Sequence, residues 1–141
     1  MEDTNKIIRA YLAGNAGIAA LVGTRVSARP VKEGVTLPAL TFNTRGGVSN
    51  PNIYDPVTDD GLVNPSVQFT CWASDPMGAR ALYEVLRQAL QGLNMQTVTF
   101  NGNDHQIKSA IEEVIGQDRE DADIPGYFSV ITFYAFEILA K

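Results

Sequence analysis

The run "YFSVITFYAFEIL" at residues 127–139 restricts the possible folds more than any other stretch. In a strand, successive side chains point to opposite faces. Phe128, Val130, Thr132, Tyr134, Phe136 and Ile138 then share one face, and Tyr127, Ser129, Ile131, Phe133, Ala135, Glu137 and Leu139 share the other. Both faces are largely apolar. Such a strand is central in a sheet, or offers one face to a partner.

The remaining chain supplies strands to flank it. "SVQFTCWA" at 66–73 alternates, with Val67, Phe69, Cys71 and Ala73 on one face and Gln68, Thr70 and Trp72 on the other. "LPALTFNTR" at 37–45 sets Leu40, Phe42 and Thr44 towards the core and Ala39, Thr41, Asn43 and Arg45 away from it. "RVSARPV" reads as a short strand. "NGND" at 101–104 lies between two alternating runs and signals a hairpin. Asp3 or Thr4 caps a first helix that buries Ile7, Ile8, Tyr11 and Leu12, and a short second helical turn ends at Gly23. The clearest helix follows "SDP", where Ser74 or Asp75 caps and Pro76 occupies the first turn. Its expected apolar stripe is Met77, Ala81, Leu82, Val85, Leu86, Ala89 and Leu90, with Arg80, Glu84, Arg87 and Gln91 on the wet face. Two stretches, 46–63 and 116–125, read as long polar loops. The order α, β, β, β, α, β, β, β predicts an α+β fold. Its mainly antiparallel sheet would carry one long helix and a short N-terminal helical region, in a single domain spanning 1–141.

Charge and composition narrow the function. The formal net charge is −5, and no basic stripe is present for gripping phosphates. One cysteine forms no internal disulfide, and one Cys with one His falls short of the roughly four ligands a structural zinc needs. The N-terminus lacks the apolar region of a signal peptide, and no apolar run approaches the ~20 residues of a membrane span. These features predict a soluble chain made in a cytoplasm, with no membrane contact.

Cys71 next to Trp72, just before a helix, invites a nucleophile reading. A nucleophilic thiol needs a base and a lowered pKa. The one histidine, His105, sits beside the proposed turn and reads as solvated. Cys71 keeps register with Val67 and Phe69, so it is expected to pack inward. There is no G-x-S-x-G serine motif or P-loop lysine motif, and "GNAGIAAL" follows a helix rather than a strand. The aspartates at 55, 59 and 60 and the acidic group at 118–123 fit no EF-hand spacing and read as solvated loops. We therefore expect no catalytic residues, cofactor or metal. Trp72, on the face opposite Cys71, is expected either beneath a helix, the favoured placement, or at an interface.

The order of features, "IAALVGTRVSARP", then "LPALTF", then a polar stretch, then "NPSVQFTCWASDPMGARALYEVLRQAL", resembles the tail-completion and tail-terminator proteins of long-tailed bacteriophages. Residues 17–92 carry the likeness. The resemblance implies a structural virion protein, not an enzyme. It implies a homo-oligomeric, hexameric ring at the head-proximal end of the tail, assembled in the host cytoplasm. The implied partners are further copies of the chain, the tail tube protein and the head-closure or neck proteins, with DNA passing through the channel without specific binding. Rings use heterologous contacts, and the two long polar stretches suit them. The candidate contact residues are Arg45, Ile53, Tyr54, Asp59, Asp60, Asp118, Arg119, Asp121 and Asp123. The alternatives are another neck or minor tail component of similar fold and a small enzyme or ligand-binding module.

Overall fold

The computed structural model describes residues 3–28, 36–55, 60–120 and 126–140. In chain order the elements are α1 (Thr4–Ala13), α2 (Ala16–Val22), β1 (Val26–Ser27), β2 (Ala39–Asp55), β3 (Asp60–Ala73), α3 (Pro76–Leu90), β4 (Asn94–Phe100), β5 (Asn103–Glu120) and β6 (Phe128–Ala140). The strands form one mixed sheet in the order β1-β2-β3-β6-β5-β4. Every pairing is antiparallel except that of β1 with β2. The α+β expectation holds, and β6 is central, between β3 and β5. The expected N-terminal helical region is α1 and α2, of 10 and 7 residues, while the helix expected to be long, α3, has only 15.

Hydrophobic burial assembles these elements on one face of the sheet. Leu40, Phe42, Val67, Phe69, Cys71, Val130, Tyr134, Phe136 and Ile138 form one core with the buried residues of all three helices. Phe69 is near its centre, with ring centroids 5.9 Å from Phe42, 5.8 Å from Tyr134 and 6.0 Å from Phe136. Asp3, Asn15 and Asp75 cap the helices, each side chain accepting a backbone N–H from the first turn.

Several expectations change. The 46–63 stretch is no free excursion, because β2 runs to Asp55 and β3 starts at Asp60. Its pairing continues past a register shift between Thr44 and Gly47. Gly47 has φ of +134°, and an added Cβ there would lie 2.2 Å from the Asn64 carbonyl oxygen. A glycine at such a bulge lets the two backbones approach. The acidic 116–125 loop is also shorter than expected, since β5 pairs with β6 as far as Glu120 opposite Phe128. On α3 the buried stripe is Ala79, Leu82, Tyr83, Leu86 and Leu90, while Met77 is 76% exposed. Tyr83 pulls the stripe round because its hydroxyl has partners on β5.

Candidate functional site

Cys71 is fully buried in line with Val67 and Phe69, and burial raises its thiol pKa. A thiol so placed is a poor nucleophile. His105 is buried rather than solvated, with Nε2 3.3 Å from the Phe100 carbonyl oxygen across the β4–β5 turn. Cys71 pairs with Val130, whereas His105 lies just beyond Gln106, which pairs with Leu139. Nine positions along β6 separate the two levels, on the order of 30 Å at strand rise. They cannot act on one substrate atom. Among the described residues, no group of three or more His, Cys, Asp and Glu is placed to hold a metal.

Two surfaces remain. The first is the sheet face opposite the helices, which no described element covers. Trp72 lies here rather than beneath a helix. Its indole N–H donates to Thr41 Oγ1 at 3.0 Å, and its ring meets Tyr127 edge-on at 6.5 Å. Arg45 donates to Gln68 at 2.7 Å and stacks its guanidinium 5.6 Å from the Phe133 ring centre. Ile131, Phe133, Ala135 and Leu139 are half-buried on this face.

The second surface is the far half of β5. β4 pairs with β5 only as far as Ser109, so from Ala110 onward no described strand flanks β5 on its outer side. Side chains of α3 brace it there. Glu112 Oε2 accepts from Tyr83 at 2.8 Å and from Thr132 at 2.9 Å, and Arg87 Nε is 3.9 Å from Glu112 Oε1. Gly116 N–H donates to the Tyr83 hydroxyl at 3.2 Å, while Arg80 donates to the Gly116 carbonyl at 3.1 Å. A Cβ on Gly116 would lie 2.8 Å from Tyr83 Cζ. These contacts hold β5 in an irregular path, with register shifts between Glu112 and Val114 and between Val114 and Gln117. Ile111, opposite Ala135, and Val114, opposite Phe133, extend the open sheet face, while Ile115 falls at the second irregularity; they are 64%, 37% and 72% exposed. Burial, followed by the neighbouring Glu112, raises the pKa of the Tyr83 and Tyr134 hydroxyls. Tyr134 Oη is enclosed beside this network without a hydrogen bond of good geometry.

The candidate contact residues that are described lie at separate places. Asp118 and Arg119 lie on β5 at the α3 end of the sheet. Asp118 pairs with Arg80 at 3.3 Å, and both β5 residues line a shallow cavity of about 200 Å³ with Pro76, Phe128 and Ser129. Asp60 starts β3 at the opposite end of the sheet, near the level where Gly61 pairs with Ala140. Arg45 is on the open face. Ile53 and Tyr54 fall within β2, but their side chains lie outside the described part, as do Asp59, Asp121 and Asp123. The patch at Ile111, Val114 and Ile115 and the Tyr83–Glu112–Thr132 network were not anticipated. One signal was present: in "IEEVIG" the apolar residues fall out of two-residue alternation, as a bulge requires.

No family model matches the chain, and no curated protein matches it. A chain in a solved structure of the virion of a native gene transfer agent (GTA) particle is similar in fold. The TM-score is 0.62 at 12% sequence identity, covering 99% of this chain and 100% of that one. At that identity the likeness is one of fold.

Proposed function

We propose that this chain is a structural virion protein of a long-tailed phage or phage-like particle. It forms a ring, hexameric by resemblance, at the head-proximal end of the tail, where it ends the tail tube and joins it to the neck. The observation that carries this reading is the end-to-end fold match to a virion chain. The two chains share their whole length, so the likeness covers the complete fold rather than one common motif. The ordered motifs of residues 17–92 supply the finer assignment to the tail end. The surfaces agree with an assembly role: a helix-free sheet face and an outward apolar strand segment suit contact with other proteins better than chemistry on a small substrate. The chain's net charge of −5 suits a channel through which DNA must slide.

The test is to produce particles without the chain. Tails of uncontrolled length and heads that fail to join them are expected. Normal, joined particles would reject the assignment. Tails of normal length that stay detached would favour the other neck component of similar fold.

A further inference from the structure

The edges of the sheet differ in how they are guarded against a further strand. Natural edges carry charge, proline, bulges or a cover that keeps another chain from pairing with them. The outer side of β2 beyond the short β1 has a register shift between Thr44 and Gly47 and contains Pro51. The outer half of β5 has register shifts between Glu112 and Gln117 and the exposed charges of Glu113, Asp118 and Arg119. β4 differs from both. It is the last strand of the sheet, and its sequence "NMQTVTF" holds no charge and no proline. Over Gln96 to Phe100 it pairs with β5 residue by residue. Its Thr and Val suit an extended chain.

The β4–β5 turn fixes which backbone groups of β4 face outward. Asn101 and Gly102 have φ of 56° and 80°, as a two-residue hairpin turn requires, and Phe100 pairs with Asn103 across it. Such a turn closes on a hydrogen-bonded pair, and along an antiparallel ladder these pairs alternate with pairs that exchange no backbone bond. Phe100, Val98 and Gln96 therefore bond inward to β5, while Thr99 and Thr97 aim their N–H and C=O away from the sheet. The Thr99 hydroxyl donates to Asp104, directly opposite, at 2.7 Å, as the closer side chains of a pair without backbone bonds allow. Among the described residues, no backbone hydrogen bond outside the ladders uses Thr97 or Thr99, and the Thr97 carbonyl meets the Gln96 side-chain amide at 3.4 Å.

These residues line a cleft of about 440 Å³ between β4 and the end of α1. Residues 96–99 all contribute, so the strand's backbone edge forms the floor, while Tyr11, Gly14 and Asn15 stand opposite. No described residue lining the cleft is charged. It offers no cation to a phosphate and no carboxylate to a metal. It does offer outward N–H and C=O groups two residues apart, which is the repeat of a β-strand.

We propose that β4 receives an extended, uncharged segment of a partner polypeptide, which pairs with Thr97 and Thr99 as a further strand in the cleft beside α1. Main-chain hydrogen bonds supply the affinity, and the uncharged walls disfavour a charged segment. The inference stands apart from the tail-end assignment, since it concerns what the edge binds and not where the chain sits in a particle.

Amide NMR of the isolated full chain tests this with two probes: a short capped peptide of alternating Thr and Val, and its fully N-methylated counterpart, which cannot donate. The first is expected to shift the amides of Thr97, Thr99, Gly14 and Asn15 saturably, and the second to bind on the order of ten-fold more weakly. Thr97→Pro removes one outward N–H and spares the ladder to β5. It should keep the native circular dichroism and lose the peptide, whereas Thr97→Val should keep both. No saturable shift at Thr97 and Thr99, or equal binding of the N-methylated peptide, would overturn the proposal. Undiminished binding by folded Thr97→Pro would overturn it too. The two peptides compared on the unaltered chain decide the matter even where Thr97→Pro does not fold. Shifts of the same amides when the chain alone is concentrated would assign the edge to a second copy and reject a separate partner. Joining of heads to tails in particles without the chain is a separate readout, so this proposal and the functional reading fail independently.

Discussion

The two faces of the central sheet differ in what they ask of their side chains. On the helix side, Phe69, Tyr134 and Phe136 meet at centroid distances of 5.8 to 6.4 Å, with helical leucines closing above them. On the other side, Phe133 and Trp72 are comparably large, yet each has one ring or guanidinium neighbour and remains half-buried. Similar aromatic residues on neighbouring strands thus serve folding on one face and leave apolar surface available on the other. Apolar content alone does not separate these roles; the position of the helices does.

The comparison can be broken most strongly by truncation. Phe69→Ala should cost about 3–5 kcal/mol in denaturant unfolding, through lost burial and a cavity the surrounding rings cannot close. Phe133→Ala should cost about 1 kcal/mol in the isolated chain and act mainly on assembly. Equal losses would mean that both faces are core. Glu112→Ala comes next, at about 1–3 kcal/mol, since it leaves the Tyr83 hydroxyl without its acceptor, while Thr132 keeps the Val114 carbonyl. It should also loosen the segment carrying Ile111 to Ile115, seen as faster amide exchange there than in β3.

Alkaline pH sharpens the contrast from another side. The buried Cys71 thiol stays protonated in the fold, whereas the unfolded chain releases that proton near the ordinary value of 9.0. Above that pH the unfolded state binds fewer protons, so this contribution is complete below about pH 9 and falls as pH rises. The loss is on the order of 1 kcal/mol per pH unit. Tyr134, also raised, adds a loss of the same sign at higher pH. Cys71→Val should flatten the part that begins near pH 9 in pH-dependent unfolding curves. The smallest expected effect belongs to the open face: Trp72→Phe removes one hydrogen bond to Thr41 and should cost about 1 kcal/mol or less.

Much of this was readable beforehand because the period of a buried strand is written in its side chains. The inward Cys71 and the "NGND" hairpin follow from local pattern, which also narrowed β6 to a central or partner-facing strand and the cap of α3 to Ser74 or Asp75. The continuation of β2 and β3 through 46–63 was not legible, because its glycines, prolines and aspartates disfavour strand, and pairing with neighbouring strands overrides that preference. His105 was misjudged because the turn motif hid its place in β5, where it shares the buried face with Ile107 and its Nε2 lies 3.3 Å from the Phe100 carbonyl oxygen. Trp72 was assigned the wrong cover because alternation tells which residues share a face, not which face the helices choose. The exposed apolar segment of β5 borders a bulge braced by Tyr83 and Glu112, residues 29 positions apart in the chain, so no local window displays it.

The most direct test of the central claim is high-resolution electron cryomicroscopy of the particle that contains this chain. The account predicts repeated copies of the fold as a ring between tail tube and neck. Particles in which this chain is absent, or is present away from the tail's head-proximal end, would contradict it.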